Sequence, residues 1–256
     1  MKVALVTGAS SGMGLIYSRK LAERGYDLLL VSNQTDALIQ TAADISDEFG
    51  VSAIPHYQDL AVLEAASCLY DYCLAEGLEV EILVNNAGMF FFKELDCDDV
   101  PRVEKMMTLH MSTVTKLCLL FGEDMKRRGC GYILIVSSMA AKLPTPGIAV
   151  YSATKAYLKS FGKSLYFEMK PYGVGVTTVC PAAIATPLYG LNPRLMDLGV
   201  KTGVIKTPEW LVKRALRGMF RRRPVIKPGL MNLYLPPMVR LLPGGLECRI
   251  WNKLKR

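Results

Sequence analysis

The 256 residues are enough for one α/β domain, and a composition of 51% hydrophobic and 21% charged residues excludes a disordered or collagen-like chain. The net charge of +8 is unevenly distributed, since residues 206–256 hold 13 Lys and Arg against 2 acidic residues. Residues 1–205 hold 18 basic and 21 acidic residues, so the basic character belongs to the last fifth of the chain.

Cysteine and histidine content indicates the compartment and the cofactor class. The seven cysteines include no C-x-x-C pair, which indicates reduced thiols and a cytoplasmic protein. Two histidines are too few for a histidine-rich metal site, so we expect no metal. The chain reaches Gly8 too early for a signal peptide, and Pro181 and Pro187 break the longest uncharged run. We therefore expect a soluble intracellular protein.

Short β-branched runs alternate with longer amphipathic stretches, which is typical of βαβ units. The predicted strands are 3–6, 28–31, 51–57, 81–85, 132–137 and 174–180. The predicted helices are 13–24, 36–49, 60–75, 99–128 and 149–169. The strands are apolar throughout, as buried parallel strands are. The pattern predicts one α/β domain over residues 1–256, with a doubly wound parallel sheet between two helical layers.

The regular alternation stops after Pro181. Residues 182–206 are rich in Pro, Gly and large apolar side chains, and we interpret this irregular segment as a lid loop over an apolar ligand. Thr207 and Pro208 then provide a cap and a first residue for a helix that ends near Arg221. Residues 224–227 predict a last short strand.

Three polar segments follow predicted strands and are candidates for ligand binding. The glycines of residues 7–14 have the spacing G-x-x-x-G-x-G between a strand and a helix, where free N–H groups favour a diphosphate. Residues 85–88, Asn-Asn-Ala-Gly, follow the fourth strand at the edge where ligands of such sheets bind. Asp59 and Leu60 are placed either to meet a nucleotide base or to cap the next helix. Each segment alone is also compatible with an ordinary turn.

A further set of residues has the chemistry of proton transfer. Ser138 follows the fifth strand, and Tyr151 and Lys155 are four residues apart on one helical face. A lysine ammonium lowers the cost of forming a tyrosine phenolate, and a serine hydroxyl can donate to a carbonyl oxygen. Tyr-x-x-x-Lys is also common on solvated helix faces, so the pair alone does not distinguish a catalytic site from an exposed surface.

Together and in this order, these segments resemble the short-chain dehydrogenase/reductase family, over residues 1 to about 190. The residues between Met125 and Phe161 resemble a bacterial branch that acts on ketones and secondary alcohols, including steroid- and acyl-chain-reducing members. The resemblance implies a Rossmann-like fold, a homodimer or homotetramer, and a small-molecule carbonyl or alcohol substrate. It implies Tyr151 as acid/base, Lys155 as its electrostatic partner and ribose ligand, and Ser138 as the carbonyl donor. It implies cofactor contacts from Gly8, Ser10, Ser11, Gly12, Met13, Gly14, Ser32, Asn33, Asp59, Leu60, Asn86, Ala87, Gly88, Tyr151, Lys155, Pro181 and Thr186.

Two positions depart from the family pattern. His110 stands where the family has an Asn that holds a water of the proton relay. We interpret His110 either as a catalytic residue that holds or shares this relay, or as a helix histidine that satisfies a neighbouring carbonyl. Ala182 stands where Gly is usual, and because Ala lacks the freedom of Gly at positive φ, the loop beside the nicotinamide is expected to change its path.

The second strand ends in Ser32, Asn33 and Gln34, without the acidic side chain that binds a ribose diol. No arginine is present to hold a phosphate either. We predict NADP(H) as the favoured cofactor, with NAD(H) as the alternative. Phe90–Phe92 border the expected cleft and favour an apolar substrate, although the rings could instead pack under the lid or in a subunit contact.

The basic C-terminal arm, residues 229–256, allows three interpretations. It packs beside the substrate site or a neighbouring subunit, which the resemblance favours, or it binds an anionic membrane surface, or it is a solvated basic face. Three prolines in it weaken the membrane interpretation, and no motif supports nucleic-acid binding. The predicted function is interconversion of a ketone and a secondary alcohol, steroid-like or acyl-chain, by NAD(P)(H). The alternative is a dinucleotide-binding sensor or scaffold without catalysis.

Overall fold

Seven parallel strands form one sheet in the order β3-β2-β1-β4-β5-β6-β7. The computed structural model describes residues 1–143, 145–185, 193–203 and 205–241. The strands are β1 Lys2–Thr7, β2 Asp27–Ser32, β3 Ala53–Tyr57, β4 Glu79–Asn85, β5 Gly131–Val136, β6 Val174–Val179 and β7 Val225–Ile226. Because every neighbouring pair is parallel, each connection crosses over one face of the sheet.

The helices cover both faces of the sheet. They are α1 Gly12–Ala22, α2 Thr35–Phe49, α3 Ala65–Ala75, α4 Val100–Met107, α5 Thr113–Arg128, α6 Ala149–Met169, α7 Pro193–Lys201, α8 Pro208–Phe220 and α9 Met231–Arg240. Apolar residues of α3, α5 and α6 pack on one face, and those of α1, α2 and α8 pack on the other. Alternate residues of each strand supply the two cores, so that Leu5 faces one and Val6 the other. The prediction of a doubly wound, three-layer α/β/α domain is confirmed.

Helix boundaries differ from the sequence prediction in two places before residue 130. The helix predicted from residue 60 begins at Ala65, because the carboxylate of Asp59 accepts the N–H of Ala61 (3.0 Å) and forms a turn first. The helix predicted over 99–128 is divided into α4 and α5 by a π-helical turn, Thr108–Ser112. Such turns inside α-helices are frequent at functional sites.

The prediction of an irregular segment over 182–206 is wrong for part of its length. Helix α7 lies within it, because Pro193 is at the first helical position, where its missing N–H and fixed φ favour a helix. The two ends of the segment are joined by a parallel bridge between Ile184 and Lys206. The later predictions are confirmed, since Thr207 accepts the N–H of Trp210 at the start of α8 and β7 pairs with β6.

Only the first part of the C-terminal arm lies within the described residues. There α9 includes Pro236 and Pro237, so these prolines do not prevent a short helix. The Asn232 side chain donates to the carbonyls of Cys180 (3.0 Å) and Pro228 (2.9 Å), and α9 contacts the segment that follows Ser138. Among the helices of the described ranges, none has the length and apolarity needed to cross a bilayer.

Candidate active site

The strand order reverses between β1 and β4, and the candidate site lies at the carboxyl ends of these strands. The Thr7 hydroxyl, at the end of β1, accepts the N–H groups of Asn86 and Ala87 (both 3.0 Å) and donates to the carbonyl of Val84. The Asn86 amide donates to the carbonyl of Thr7 (3.0 Å). Thr7 therefore fixes the Asn-Asn-Ala-Gly turn directly beside the glycine-rich turn.

Close backbone contacts within the glycine-rich turn require its small residues. A Cβ on Gly14 would lie 1.9 Å from the carbonyl oxygen of Gly8, so no other residue fits without moving backbone. Gly8 itself has a φ of +67°. The side-chain oxygen of Asn86 is buried beside this turn and has no partner among the described residues. These features fit a diphosphate or amide group seated against the N-terminus of α1.

The end of β2 lies at the same carboxyl edge of the sheet as the glycine-rich turn. The hydroxyls of Ser10 and Ser32 are 2.8 Å apart, and Ser32 Oγ also accepts the N–H of Gln34 (3.2 Å). Asn33 and Gln34 are exposed and their side chains bond to each other. The second strand thus ends in hydroxyl and amide groups, as predicted, with no carboxylate on these three residues.

A cavity of about 570 Å³ runs along this edge. Every predicted cofactor residue that the structure describes lines it, except Gly14, which lies behind the turn. Thr186 is outside the described residues. Its lining includes Asn33 and Asp59, which follow β2 and β3, as well as Tyr151 and Lys155 on α6. The cavity therefore spans the ends of several strands, which fits an extended dinucleotide.

Tyr151 and Lys155 lie buried on α6 at one end of the cavity. The Lys155 ammonium donates to the carbonyl of Val136 (3.0 Å) and is 5.6 Å from the centre of the Tyr151 ring. Burial lowers the pKa of Lys155 to about 8. The Ser138 hydroxyl accepts the N–H of Ala140 (3.1 Å), and its own hydrogen is available to a ligand. Ser138 is buried beside the cavity rather than lining it.

His110 is fully buried in the π-helical turn, and the centre of its ring is 5.9 Å from that of Tyr151. Its Nε2 accepts the N–H of Met89 (3.0 Å), and its Nδ1 is 3.0 Å from the hydroxyl of Thr154. Since Thr154 donates its own hydrogen to the carbonyl of Tyr151 (2.9 Å), Nδ1 must carry the proton and donate to Thr154. Burial, and then the charge of Lys155, hold the pKa of His110 well below its usual range. The imidazole is therefore neutral, with both nitrogens bonded to protein.

Tyr151 belongs to an apolar cluster with Phe90 and Phe91. The Phe90 ring packs edge-on against Tyr151, with ring centres 5.0 Å apart. Phe91 is buried in the same cluster under the guanidinium of Arg102, whereas Phe92 is largely exposed. The three rings thus have different environments, and Phe90 gives the tyrosine an apolar neighbour.

Pro181 and Ile184 bring the segment after β6 to the cavity. Ala182 does not adopt a positive φ, because Arg222 is the only non-glycine residue with one in the described part of the chain. The backbone at Ala182 therefore has a conformation open to any residue, and the expected change of path of this loop stays a prediction.

Four groups that support the site were not predicted from the sequence. The Ser137 hydroxyl donates to the carbonyl of Lys155 (2.7 Å), and Val136 supplies the acceptor for the lysine ammonium. Thr154 and the amide of Met89 bond to His110. Thr154 lies in the Tyr-Ser-Ala-Thr-Lys motif, but these contacts join residues far apart in the chain and have no local sequence signal.

The family model for short chain dehydrogenases matches residues 2–193. The chain belongs to this family. It is 34% identical over 219 residues to the very-long-chain 3-oxoacyl-CoA reductase of Anas platyrhynchos, a match covering 83% of this chain and 67% of the relative. It is also similar to the structure of a short-chain dehydrogenase from Sphingobium yanoikuyae in complex with NADPH, with a TM-score of 0.80, 31% identity, and 90% and 89% of the two chains covered. A bulky-bulky ketone specific alcohol dehydrogenase from Comamonas testosteroni has a TM-score of 0.78 at 25% identity, with 100% and 91% covered.

This short-chain dehydrogenase is therefore an oxidoreductase that acts on a carbonyl or alcohol with a nicotinamide dinucleotide. The family resemblance inferred from the sequence is confirmed. The residues at the carboxyl edge of the sheet fit the cofactor, since a glycine cradle, an unpartnered buried amide oxygen and an elongated cavity occur together.

Proposed function

We propose that this short-chain dehydrogenase uses NADPH to reduce the 3-oxo group of a long-chain acyl-CoA. The observation that carries the proposal is the buried Tyr151–Lys155 pair at one end of the dinucleotide cavity, with Phe90 against the tyrosine ring. The similarity to very-long-chain 3-oxoacyl-CoA reductases supports the acyl class of substrate over the steroid-like class.

Tyr151 is the proton donor of the proposed reaction. A reduced nicotinamide held in the cavity would supply the hydride for the carbonyl carbon. The Tyr151 hydroxyl gives its proton to the carbonyl oxygen, which completes the secondary alcohol. The Lys155 ammonium stabilises the phenolate left on Tyr151, because a positive charge nearby favours the charged form. Burial strengthens this interaction since little water screens it.

Ser138 and His110 position the reacting groups. The Ser138 hydroxyl is fixed by the N–H of Ala140 and donates to the substrate carbonyl oxygen. His110 holds the amide of Met89 and, through Thr154, the backbone of Tyr151. In this arrangement His110 is a neutral positioning residue, and its side chain neither titrates near neutral pH nor binds the relay water.

The preference for NADPH rests on the end of β2. Ser32, Asn33 and Gln34 provide no carboxylate to bind a ribose diol or repel a 2′-phosphate. The similar Sphingobium yanoikuyae enzyme was solved with NADPH, which supports the same assignment. Comparing kcat/KM for NADPH and NADH checks it, and a tenfold preference for NADH contradicts it.

Following NADPH oxidation across a carbonyl panel tests the reaction. The panel contains a long-chain 3-oxoacyl-CoA, a steroid ketone and a bulky diaryl ketone, and we expect the acyl-CoA to have the highest kcat/KM. Tyr151→Phe retains the ring and its contact with Phe90 but has no proton to donate, so kcat falls by about 10²–10⁴. Binding of NADPH, measured by fluorescence, is expected to persist, because the other groups that line the cavity are unchanged.

Three outcomes separate the alternatives. Turnover of the acyl-CoA that depends on Tyr151 supports the proposal. A higher kcat/KM for the steroid or the diaryl ketone contradicts the proposed substrate class, although the proposed reaction, reduction of a carbonyl, still stands. Tight binding of NADPH without turnover of any carbonyl contradicts catalysis and favours the alternative of a dinucleotide-binding sensor.

A further inference from the structure

The outward face of helix α9 is apolar along its whole length. Surface helices of globular proteins normally turn their polar side chains to solvent. The exposed side chains that the structure describes between residues 230 and 241 are all apolar, and they recur three or four positions apart on one side of the helix. We call this row the α9 stripe, which consists of Leu230, Leu233, Tyr234, Pro237, Met238 and Leu241.

The size of the α9 stripe distinguishes it from ordinary exposed apolar residues. Its five large side chains are between 56% and 84% exposed. Single exposed side chains such as Ile39 on α2 and Leu74 on α3 are common on protein surfaces. A contiguous apolar row, here about 17 Å long at the rise of an α-helix, instead indicates an interaction surface.

The opposite side of α9 is fixed to the body of the domain. Asn232 is buried, and its side chain donates to the carbonyls of Cys180 and Pro228. Cys180 directly precedes Pro181, which lines the dinucleotide cavity. Helix α9 also contacts the short 3₁₀ helix Met139–Lys142, whose N-cap is Ser138. The α9 stripe is therefore held on the surface beside the part of the site that contains Ser138.

The charge around the α9 stripe has one sign. Between Glu209 and Glu247 the sequence contains eight Lys and Arg and no acidic residue. Lys227 is exposed three residues before Leu230, and Lys142 is exposed at the end of the 3₁₀ helix that α9 contacts. Neither lysine forms a salt bridge with an acidic residue in the described ranges. The stripe thus lies in a basic part of the protein.

This combination of apolar and basic groups favours one kind of partner over another. A symmetric contact between two copies through α9 would place the same basic residues of both copies near each other, and like charges repel. An anionic lipid bilayer has acyl chains for the stripe and negative headgroups for the lysines. Prolines were expected to interrupt such a helix, but α9 includes Pro236 and Pro237, and Pro237 is part of the stripe.

We propose that the α9 stripe docks this protein on the surface of an anionic lipid bilayer. The helix lies in the plane of the interface, with the stripe among the outer ends of the acyl chains and Lys142 and Lys227 among the headgroups. This docking requires no particular substrate, so it goes beyond the proposed function and does not depend on it.

Vesicle co-sedimentation of the full chain tests the docking. We expect the wild type to bind vesicles of phosphatidylcholine and phosphatidylserine at least tenfold more tightly than pure phosphatidylcholine vesicles, and more weakly as ionic strength rises. Leu233→Ser/Met238→Ser removes two apolar side chains from the stripe and is expected to weaken binding at least tenfold.

Two matched variants separate the stripe from general surface apolarity. Leu233→Met/Met238→Leu keeps both positions apolar and of similar volume, so its binding should stay within twofold of the wild type. Ile39→Ser/Leu74→Ser removes side chains of similar exposure, 55% and 58%, from α2 and α3, and should also bind within twofold of the wild type. Thermal unfolding checks that each variant is folded.

Hydrogen exchange of the wild type gives a readout that needs no variant. Addition of the phosphatidylserine vesicles is expected to slow amide exchange in peptides that cover residues 229–241 and to leave peptides from α3 unchanged. Binding of the vesicles without slower exchange in residues 229–241 would assign the contact to another part of the protein and overturn the proposal.

The remaining outcomes also decide the proposal. Equal binding to the two kinds of vesicle contradicts an anionic partner, and equal binding by the wild type and Leu233→Ser/Met238→Ser contradicts the role of the stripe. If the wild type binds no vesicles and is an oligomer that dissociates in this variant, by sedimentation velocity, the stripe is a subunit interface instead. Because none of these measurements involves turnover, failure of the proposed reductase activity leaves their result unaffected.

Discussion

Replacing Lys155 with methionine is expected to lower the reductase activity and to raise the stability of the protein, by an amount that depends on pH. Methionine has a similar length and no charge, so it fills the site on α6 without an ammonium group. Burial lowers the pKa of Lys155 from 10.5 to about 8, so the folded protein binds this proton more weakly than the unfolded chain does. Stability therefore rises with pH between these two values.

The magnitude follows from the same two pKa values. The pKa shift makes folding about 3 kcal/mol less favourable while Lys155 is charged. About 2.5 kcal/mol of this destabilisation disappears between pH 7 and pH 10. Lys155→Met has no ammonium group and therefore no such cost. The free energy of unfolding of the wild type, minus that of the variant, is therefore expected to increase by about 2.5 kcal/mol over this interval.

The assay is urea unfolding of both cofactor-free proteins at pH 7 and pH 10, with NADPH oxidation measured in parallel. Other groups that titrate over this range cancel in the difference. The variant is expected to lose most of its reductase activity, because the charge beside Tyr151 is gone. Lys163→Met, at an exposed position on the same helix, serves as the control. A difference in unfolding free energy that is the same at both pH values refutes the burial argument.

Three further substitutions test the geometry of the site. Gly14→Ala places a methyl group 1.9 Å from the Gly8 carbonyl oxygen, so we expect destabilisation by roughly 1–3 kcal/mol in thermal unfolding and at least tenfold weaker binding of NADPH. Binding as tight as that of the wild type would show that the turn can move. His110→Asn should keep an acceptor for the Met89 N–H, and because His110 is neutral, the pH profile of kcat between pH 5.5 and 7.5 should not change. The loss of an ionisation step in that variant would mean that His110 titrates in the relay. His110→Leu leaves the Met89 N–H and the Thr154 hydroxyl without this partner, and we expect a loss of roughly 1–3 kcal/mol of stability, measured by the same thermal unfolding.

Burial also sets the useful pH range of the proposed reaction. Lys155 is charged below about pH 8, and its charge is needed beside the phenolate. The rate of reduction by the free enzyme is therefore expected to fall as pH rises through about 8. His110 does not contribute to this fall in rate, because it stays neutral over the same range.

The sequence by itself determined the sheet, the helices other than α7 and α9, and many of the residues that line the cavity. Local signals suffice there: apolar strands, amphipathic helices, and glycines between β1 and α1 each constrain their own segment. The motifs at Asn86, Ser138 and Tyr151 were recognisable because each is short and follows a strand or begins a helix. Local patterning also predicted the helix after Thr207, whose cap and Pro208 are adjacent in the chain.

The tertiary structure decided what these residues contact. The role of His110 depends on Met89 and Thr154, which are 21 and 44 residues away in the chain, and only the fold brings them to the two ring nitrogens. The lowered pKa of Lys155 has the same origin, because a buried environment is made by β5, α6 and the turn after β4 together. Charge, tautomer and pKa depend on distances in space, and a linear pattern of residues does not contain those distances.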